Sequence, residues 1–210
     1  MKKIVPAILT DDPKALVQMI SSAEKFCDLV QIDIMDGKFV PSKSINSDDL
    51  KKIKTNLYLE VHLMVLNPEN YFKGFKEAGA KRIIFHYEAA PRPKELIDTL
   101  KKLKIKPGIA INPETPVTAI DPFLDELDMV LLLAVNPGFY GSPFIPEVLQ
   151  KARELSQMRK KIILALDGGV KFDNVREIAD SGVEQIDVGS AIFKNGDPRA
   201  NYKKFAELVK

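Results

Sequence analysis

Asp33, His62, His86 and Asp167 stand where short β-rich runs of this sequence come to an end. Carboxylates and imidazoles are the side chains that most often carry protons in catalysis. Strand side chains alternate between faces, so Gln31, Asp33 and Met35 share one face of the run 29–35. Glu60, His62 and Met64 do the same in the run 57–64. A later run ends at Asp167, immediately before Gly168-Gly169, and another ends in His86-Tyr87-Glu88. The chain has only two histidines, and both lie at strand ends. Each residue also has an ordinary role: a helix-facing or capping carboxylate for Asp33, a hydrogen-bonded core imidazole for His62, apolar packing for Met35 and Met64. For His86 the core role is the expectation. The functional alternative for the two methionines is a pair of soft walls around a reactive centre.

Glycines make a second constellation. Asn136-Pro137-Gly138-Phe139-Tyr140-Gly141 follows the sixth strand candidate, Gly168-Gly169 the seventh and Gly189-Ser190 the eighth. Backbone N–H groups in such turns can converge on a phosphate. One glycine pair is weak evidence, because turns need glycine anyway. Three glycine segments in neighbouring loops on one face are a much stronger sign.

The elements that must position these residues alternate from one end of the sequence to the other. Strand candidates are 4–9, 29–35, 57–64, 82–86, 106–111, 129–134, 162–166 and 185–188. Helical patterns cover 13–26, 47–54, 68–78, 93–103, 146–158, 173–181 and 201–209. The fifth crossover, around 116–124, is short and broken by Pro122. Asp12-Pro13 and Asn67-Pro68 place a capping side chain before a proline at the first helical position. Gly79 and Gly182 fall just past helical runs, where a left-handed cap wants glycine. Strands alternating with helices imply parallel pairing. Eight units in 210 residues, about 26 residues each, fit a closed (β/α)8 TIM barrel spanning 1–210 as a single domain. An open doubly wound sheet is the alternative, weakened by the lack of a G-x-G-x-x-G segment after the first strand.

Composition narrows the partners. Hydrophobic residues make up 45% and charged residues 29%, the balance of a globular protein. A net charge of +2 with scattered lysines gives no field for nucleic acid. No apolar run approaches a membrane span, and the N-terminal apolar stretch, broken by Pro6, is too short for a signal-peptide core. Cys27 is the sole cysteine, so no internal disulfide forms and a cytoplasmic home is expected. Burial, rather than reactivity, is the expectation for its thiol.

With these residues in place, the sequence resembles the ribulose-phosphate 3-epimerase family and close relatives such as the allulose-phosphate epimerase. The segments that carry the resemblance are Asp33-Ile34-Met35-Asp36-Gly37-Lys38-Phe39-Val40-Pro41, Val61-His62-Leu63-Met64-Val65, Val135-Asn136-Pro137-Gly138-Phe139, Phe144-Ile145-Pro146, Asp167-Gly168-Gly169-Val170 and Gly189-Ser190-Ala191-Ile192-Phe193. In this order they cover nearly the whole chain. The resemblance implies an isomerase of pentose-phosphate metabolism that moves a proton at the carbon beside a ketone. Asp33 would be the base on one face of the enediolate and Asp167 the acid on the other. It further implies a divalent metal (Zn, Fe, Mn or Co) on two histidines and the same two aspartates. Met35 and Met64 would flank the enediolate. Gly138, Gly141, Gly169, Gly189 and Ser190 would hold the phosphate of a small phosphorylated sugar. His62 is carried over as both a metal ligand and a substrate-contacting residue, and the resemblance is compatible with a homo-oligomer.

The sequence departs from the family pattern at the reaction centre. Gln31 occupies the position of the first metal-ligand histidine, which leaves Asp33, His62 and Asp167. A glutamine carbonyl is a poorer donor than imidazole to zinc or iron, so a lowered metal affinity is expected. Ala7 replaces a serine, Leu133 a methionine and Ala165 a polar residue, while Tyr140 and Ser142 replace glycine and glutamine in the phosphate loop. Two readings follow. In one, the protein remains an epimerase, with Gln31 as a weak ligand or with no metal. Two carboxylates facing one cavity would then share a proton near neutral pH, and Lys38 would partly stabilise the enediolate if its loop folded inward. In the other, it is a non-catalytic or altered-substrate relative that binds a sugar phosphate through its glycine loops. Aldol or decarboxylation chemistry on the same barrel is a third class, opposed by the lack of a Schiff-base lysine at a strand end and of an Asp-x-Lys-x-x-Asp segment.

Overall fold

The structure is a computed structural model and describes residues 2–138, 142–158, 161–194 and 196–210. Eight parallel strands close into a barrel in sequence order. They are β1 (Lys3–Ile8), β2 (Leu29–Met35), β3 (Tyr58–Met64), β4 (Arg82–His86), β5 (Lys106–Ile111), β6 (Met129–Leu133), β7 (Ile163–Asp167) and β8 (Gln185–Val188). Closure is made by β8 pairing with β1, with Lys3 beside Gln185 and Val5 beside Asp187. Each strand lies within a residue or two of its expected position. Near-continuous apolar runs, read on alternating faces, are what a parallel sheet covered by helices requires.

The outer layer comprises α1 (Pro13–Ala23), α2 (Ser47–Lys51), α3 (Glu69–Glu77), α4 (Pro93–Lys102), α5 (Val148–Gln157), α6 (Val175–Asp180), α7 (Ser190–Phe193) and α8 (Pro198–Leu208). The fifth crossover holds no α-helix but two 3₁₀ segments, Val117–Ala119 and Asp121–Glu126, as its short, proline-broken sequence suggests. Asp12 caps α1 as expected, its carboxylate accepting from the Lys14 N–H at 2.8 Å. Asn67 differs. Its side chain makes no cap, and it takes a left-handed φ of 51° while its carbonyl accepts from the Asn70 N–H. Gly79 and Gly182 are left-handed, φ 94° and 104°, the helix-ending conformation that glycine adopts without strain. Helix α8 begins three residues before its expected start because Asp197-Pro198 repeats the α1 signature, with Asp197 accepting from the Arg199 and Ala200 N–H groups. The short α7 has no counterpart among the sequence patterns, since four residues carry no periodicity.

Most of the core lies between barrel and helices, around the fully buried Phe72, Phe75, Phe85 and Phe205. The barrel interior is divided. Ile84, Ala110, Met129, Leu131 and Ala165 fill one part as an apolar cluster. The other part is polar. Arg82 pairs there with Glu60 and Asp128, and the Gln185 amide donates to Glu60 and Asp187, each at 2.8 Å. Cys27 is half-buried, its thiol donating to the Ala23 carbonyl, and burial pushes it up to about 11, in line with the expected inert role. No helix among the described residues is long and apolar enough to cross a membrane.

Candidate active site

Strand alternation carries Gln31, Asp33 and Met35 to the barrel interior, with Asp33 beside His62 and Met35 beside Met64 in register. Asp167 comes from the end of β7, which is separated from β2 by β8 and β1. The Gln31 amide nitrogen joins the two carboxylates, donating to Asp33 Oδ1 and to Asp167 Oδ2 at 3.0 Å each. The opposite orientation of that amide would place its oxygen against two carboxylate oxygens. In the present one, Gln31 Oε1 is buried with no hydrogen-bond partner among the described residues.

His62 is fully buried behind the aspartates. Its Nδ1 lies 3.0 Å from Asp33 Oδ1 and 3.7 Å from Asp167 Oδ2. Its Nε2 meets His86 Nε2 at 2.9 Å. His86 is a core histidine, as expected, but it also forms the back wall of this cluster. The Phe39 ring lies 4.9 Å from its own.

Burial sets the electrostatics. It raises Asp33 to about 7, opposed by the Gln31 hydrogen bond. It raises Asp167 to about 7 as well, the charge of Asp33 adding to the rise. Burial lowers both His62 and His86 to about 4, so both imidazoles are neutral at pH 7. Two carboxylates this close, both raised by burial, repel when both are charged, which favours keeping one proton on the pair.

A cavity of about 940 Å³ opens over the C-terminal strand ends and is lined by Asp33, Met35, Met64, Asp167, Gly138, Gly169, Gly189 and Ser190 among others. His62 is not part of this lining, so the structure gives it no direct place against a substrate. Gly141 lies outside the described residues. Lys38 is exposed, the ordinary place of a surface lysine, and does not line the cavity. Ala7 and Leu133 do line it, so two of the departures from the family pattern make its wall more apolar. Met35 and Met64 pack with Val40 and Phe39 as a separate small cluster.

Gly138, Gly168, Gly169 and Gly189 line this one cavity. Gly169 has φ 67°, and a Cβ there would sit 2.8 Å from Phe144 Cβ and 2.9 Å from its Cα, so no side chain fits. Gly189 and Ser190 open α7 at the cavity edge. The loops after strands seven and eight, with a short extra helix, are where barrels frequently bind phosphate. Asp187 is a site residue that the sequence reading passes over. It lines the cavity, is buried, and has one carboxylate oxygen without a partner among the described residues. The same alternation that selects Gln31 and Asp33 would have selected Gln185 and Asp187 on β8.

Asp33, His62 and Asp167 present ligand atoms that all lie within 4.8 Å of one another. Two carboxylate oxygens and one neutral imidazole nitrogen suit a divalent cation of the zinc, iron, manganese or cobalt type. The orphaned Gln31 oxygen, one amide rotation away from the carboxylates, fits the same assignment.

Known proteins resemble this chain over nearly its whole length. Residues 3–193 match the model of the ribulose-phosphate 3 epimerase family. The chain is 38% identical over 205 residues to a ribulose-phosphate 3-epimerase of Bacillus subtilis, covering 94% of each chain. It is 35% identical to the one from Aquifex aeolicus over 100% of this chain and 97% of that protein. Among solved structures, a 3-keto-L-gulonate-6-phosphate decarboxylase from Vibrio cholerae superposes with a TM-score of 0.75 at 14% identity, covering 100% of this chain and 98% of that one. At that identity the likeness shows the fold alone.

Proposed function

The chain belongs to the ribulose-phosphate 3-epimerase family, and from that premise we propose that it interconverts D-ribulose 5-phosphate and D-xylulose 5-phosphate by passing a proton between Asp33 and Asp167. As a member of that family it is an isomerase-class enzyme, a sugar-phosphate epimerase. The observation that carries the mechanistic reading is the Gln31 amide nitrogen, which holds one oxygen of each carboxylate at 3.0 Å.

Inverting a carbon needs two proton carriers, one on each face of a planar enediolate, each within hydrogen-bond reach. The C2 ketone acidifies the C3 proton. An ionised aspartate removes that proton, and the neutral aspartate delivers its own to the other face. After the turnover the two have exchanged roles, which suits a reversible reaction. Burial holds both groups near 7, so one proton on the pair at neutral pH is the working state. By restraining one oxygen of each, Gln31 leaves the second for the substrate. Met35 and Met64 bound the reacting carbons with apolar, polarisable walls, excluding water from the enediolate. Gly138, Gly169, Gly189 and Ser190 receive the phosphate. With a divalent cation on Asp33, His62 and Asp167 instead, the Gln31 amide would turn to offer its oxygen as a fourth and weaker donor, and the ion, in place of the shared proton, would polarise the ketone and neutralise charge on the enediolate.

The test is interconversion of the two pentulose phosphates by wild type, Asp33→Asn and Asp167→Asn, with metal content measured on the same samples. The expected result is turnover by wild type and a loss of at least ~100-fold in each variant. Wild-type inactivity with and without added Fe2+, Zn2+, Mn2+ or Co2+ would instead favour a sugar-phosphate-binding or altered-substrate protein.

A further inference from the structure

Asp33, His62, His86 and Glu88 form one chain of polar contacts leading from the cavity toward the protein surface. Its junctions are Asp33 Oδ1 to His62 Nδ1 at 3.0 Å, His62 Nε2 to His86 Nε2 at 2.9 Å, and His86 Nδ1 to Glu88 Oε2 at 3.3 Å. Both rings are fully buried and meet at a 2.9 Å nitrogen–nitrogen contact that admits a single proton; as neutral imidazoles they bring two N–H protons to three junctions. One end must therefore be supplied from elsewhere, and the surroundings of the two carboxylates decide which.

Glu88 is built to remain an anion. Its Oε1 accepts from the Asn112 backbone N–H at 2.8 Å and from the Thr115 hydroxyl, and its side chain is 22% exposed. Its Oε2 is left to face His86. Burial opposes the charge, but the hydrogen bonds from His86, Thr115 and Asn112 outweigh it and hold Glu88 at about 2. An anion at that end requires the proton on His86 Nδ1, leaving a lone pair on His86 Nε2. The 2.9 Å contact then requires the proton on His62 Nε2. What remains is an unprotonated His62 Nδ1.

We infer that Glu88, acting through His86, is a positioning residue that fixes His62 as its Nε2–H tautomer, with the Nδ1 lone pair turned toward Asp33 and Asp167. That lone pair can accept a proton from Asp33 or donate to a cation, and the opposite tautomer could do neither. The Phe39 ring packed at 4.9 Å and the imidazole rings stacked at 5.1 Å keep His86 in line. The catalytic consequence rests on the epimerase reading, whereas the tautomer does not.

The two histidines make the test direct. In protein labelled with 15N-histidine, long-range 1H–15N correlation at pH 7 reads the protonated nitrogen of each ring, and His86→Gln identifies the His62 signals. Wild type should show Nε2–H at His62 and Nδ1–H at His86; a protonated His62 Nδ1 overturns the inference. In Glu88→Gln, the Asn112 N–H and Thr115 hydroxyl retain the amide oxygen and turn its NH2 toward His86. Both rings should then exchange tautomers, and kcat should fall roughly 10–100-fold with KM little changed. Unchanged tautomers in that variant count against the inference. Thr115→Val, which loosens the loop but keeps the carboxylate, should retain the wild-type pattern; if it also exchanged the tautomers, Glu88 would be acting only through the loop. The wild-type spectrum can refute the inference without any variant, so a variant that misfolds does not shield it. Inactivity with the expected tautomers would count against the reaction assigned and not against the relay.

Discussion

At Gln31, one amide nitrogen serves two carboxylates while the oxygen of the same group lies buried without a partner among the described residues. An imidazole there would offer a better lone pair to a transition metal. In Gln31→His, calorimetric titration with Zn2+ or Mn2+ should show binding at least ~10-fold tighter than in wild type; equal affinity would mean that position 31 does not face the ion. The aspartates make a second prediction at this scale. The folded-state pKa of Asp33 is raised by burial from 3.8 to about 7. Its favourable contribution is therefore complete below about pH 4 and is lost as pH rises through 7. Asp33→Asn, compared with wild type in chelator, should be similarly stable at pH 4. At pH 8 it should be more stable, by up to roughly 4 kcal/mol. Denaturant midpoints across that range measure the difference, and parallel pH profiles for the two proteins would contradict it. At this scale, strand alternation and strand ends made Asp33, His62 and Asp167 legible in the sequence. The bridge through Gln31 was not, because residues 136 positions apart meet only once the barrel has closed. Asp187 escaped because one carboxylate in an apolar strand reads as ordinary without its neighbours.

Among the elements, local chemistry decided what could be foreseen. Caps made of Asp-Pro and left-handed glycines mark helix ends through interactions within a few residues, so α1 and the ends near Gly79 and Gly182 were readable. Lys104 closes α4 in the same left-handed conformation, φ 58°, with no glycine to announce it. Helix α7 is too short for a pattern, yet it carries Ser190 to the cavity edge. Gly169 belongs to the element scale as well, since its loop exists only because no Cβ stands between it and Phe144. Gly169→Ala should destabilise the protein by about 1–3 kcal/mol through the positive φ and the clash. It should also raise KM for the phosphorylated ketose severalfold with a smaller effect on kcat. Thermal denaturation and steady-state kinetics check both; an unaltered KM would remove this loop from the phosphate site.

For the molecule as a whole, the barrel was legible because eight apolar runs alternate with amphipathic helices, and a parallel sheet of that length closes when no edge is protected. Its interior was less so. Arg82, the first residue of β4, is buried between Glu60 and Asp128. Removing one partner from such a group leaves uncompensated charge in the core. Arg82→Met should cost about 3–5 kcal/mol in urea denaturation. Replacing Glu60, Arg82 and Asp128 together with apolar residues should cost much less. A loss below ~1 kcal/mol in the single variant would mean that water reaches Glu60.

Those same side chains form a thread through the barrel. Asp128, Arg82, Glu60, Gln185 and Asp187 touch in sequence, and the charge of Asp167 bears on Asp187 at its upper end. Inheritance can act on such a thread in a way it cannot act on a cavity wall. A substitution at the floor of the barrel, at Glu60, changes the field felt by Asp187 without altering the cavity lining. The charge state of one cavity-lining carboxylate is therefore set in part by a residue that nothing bound in the cavity touches.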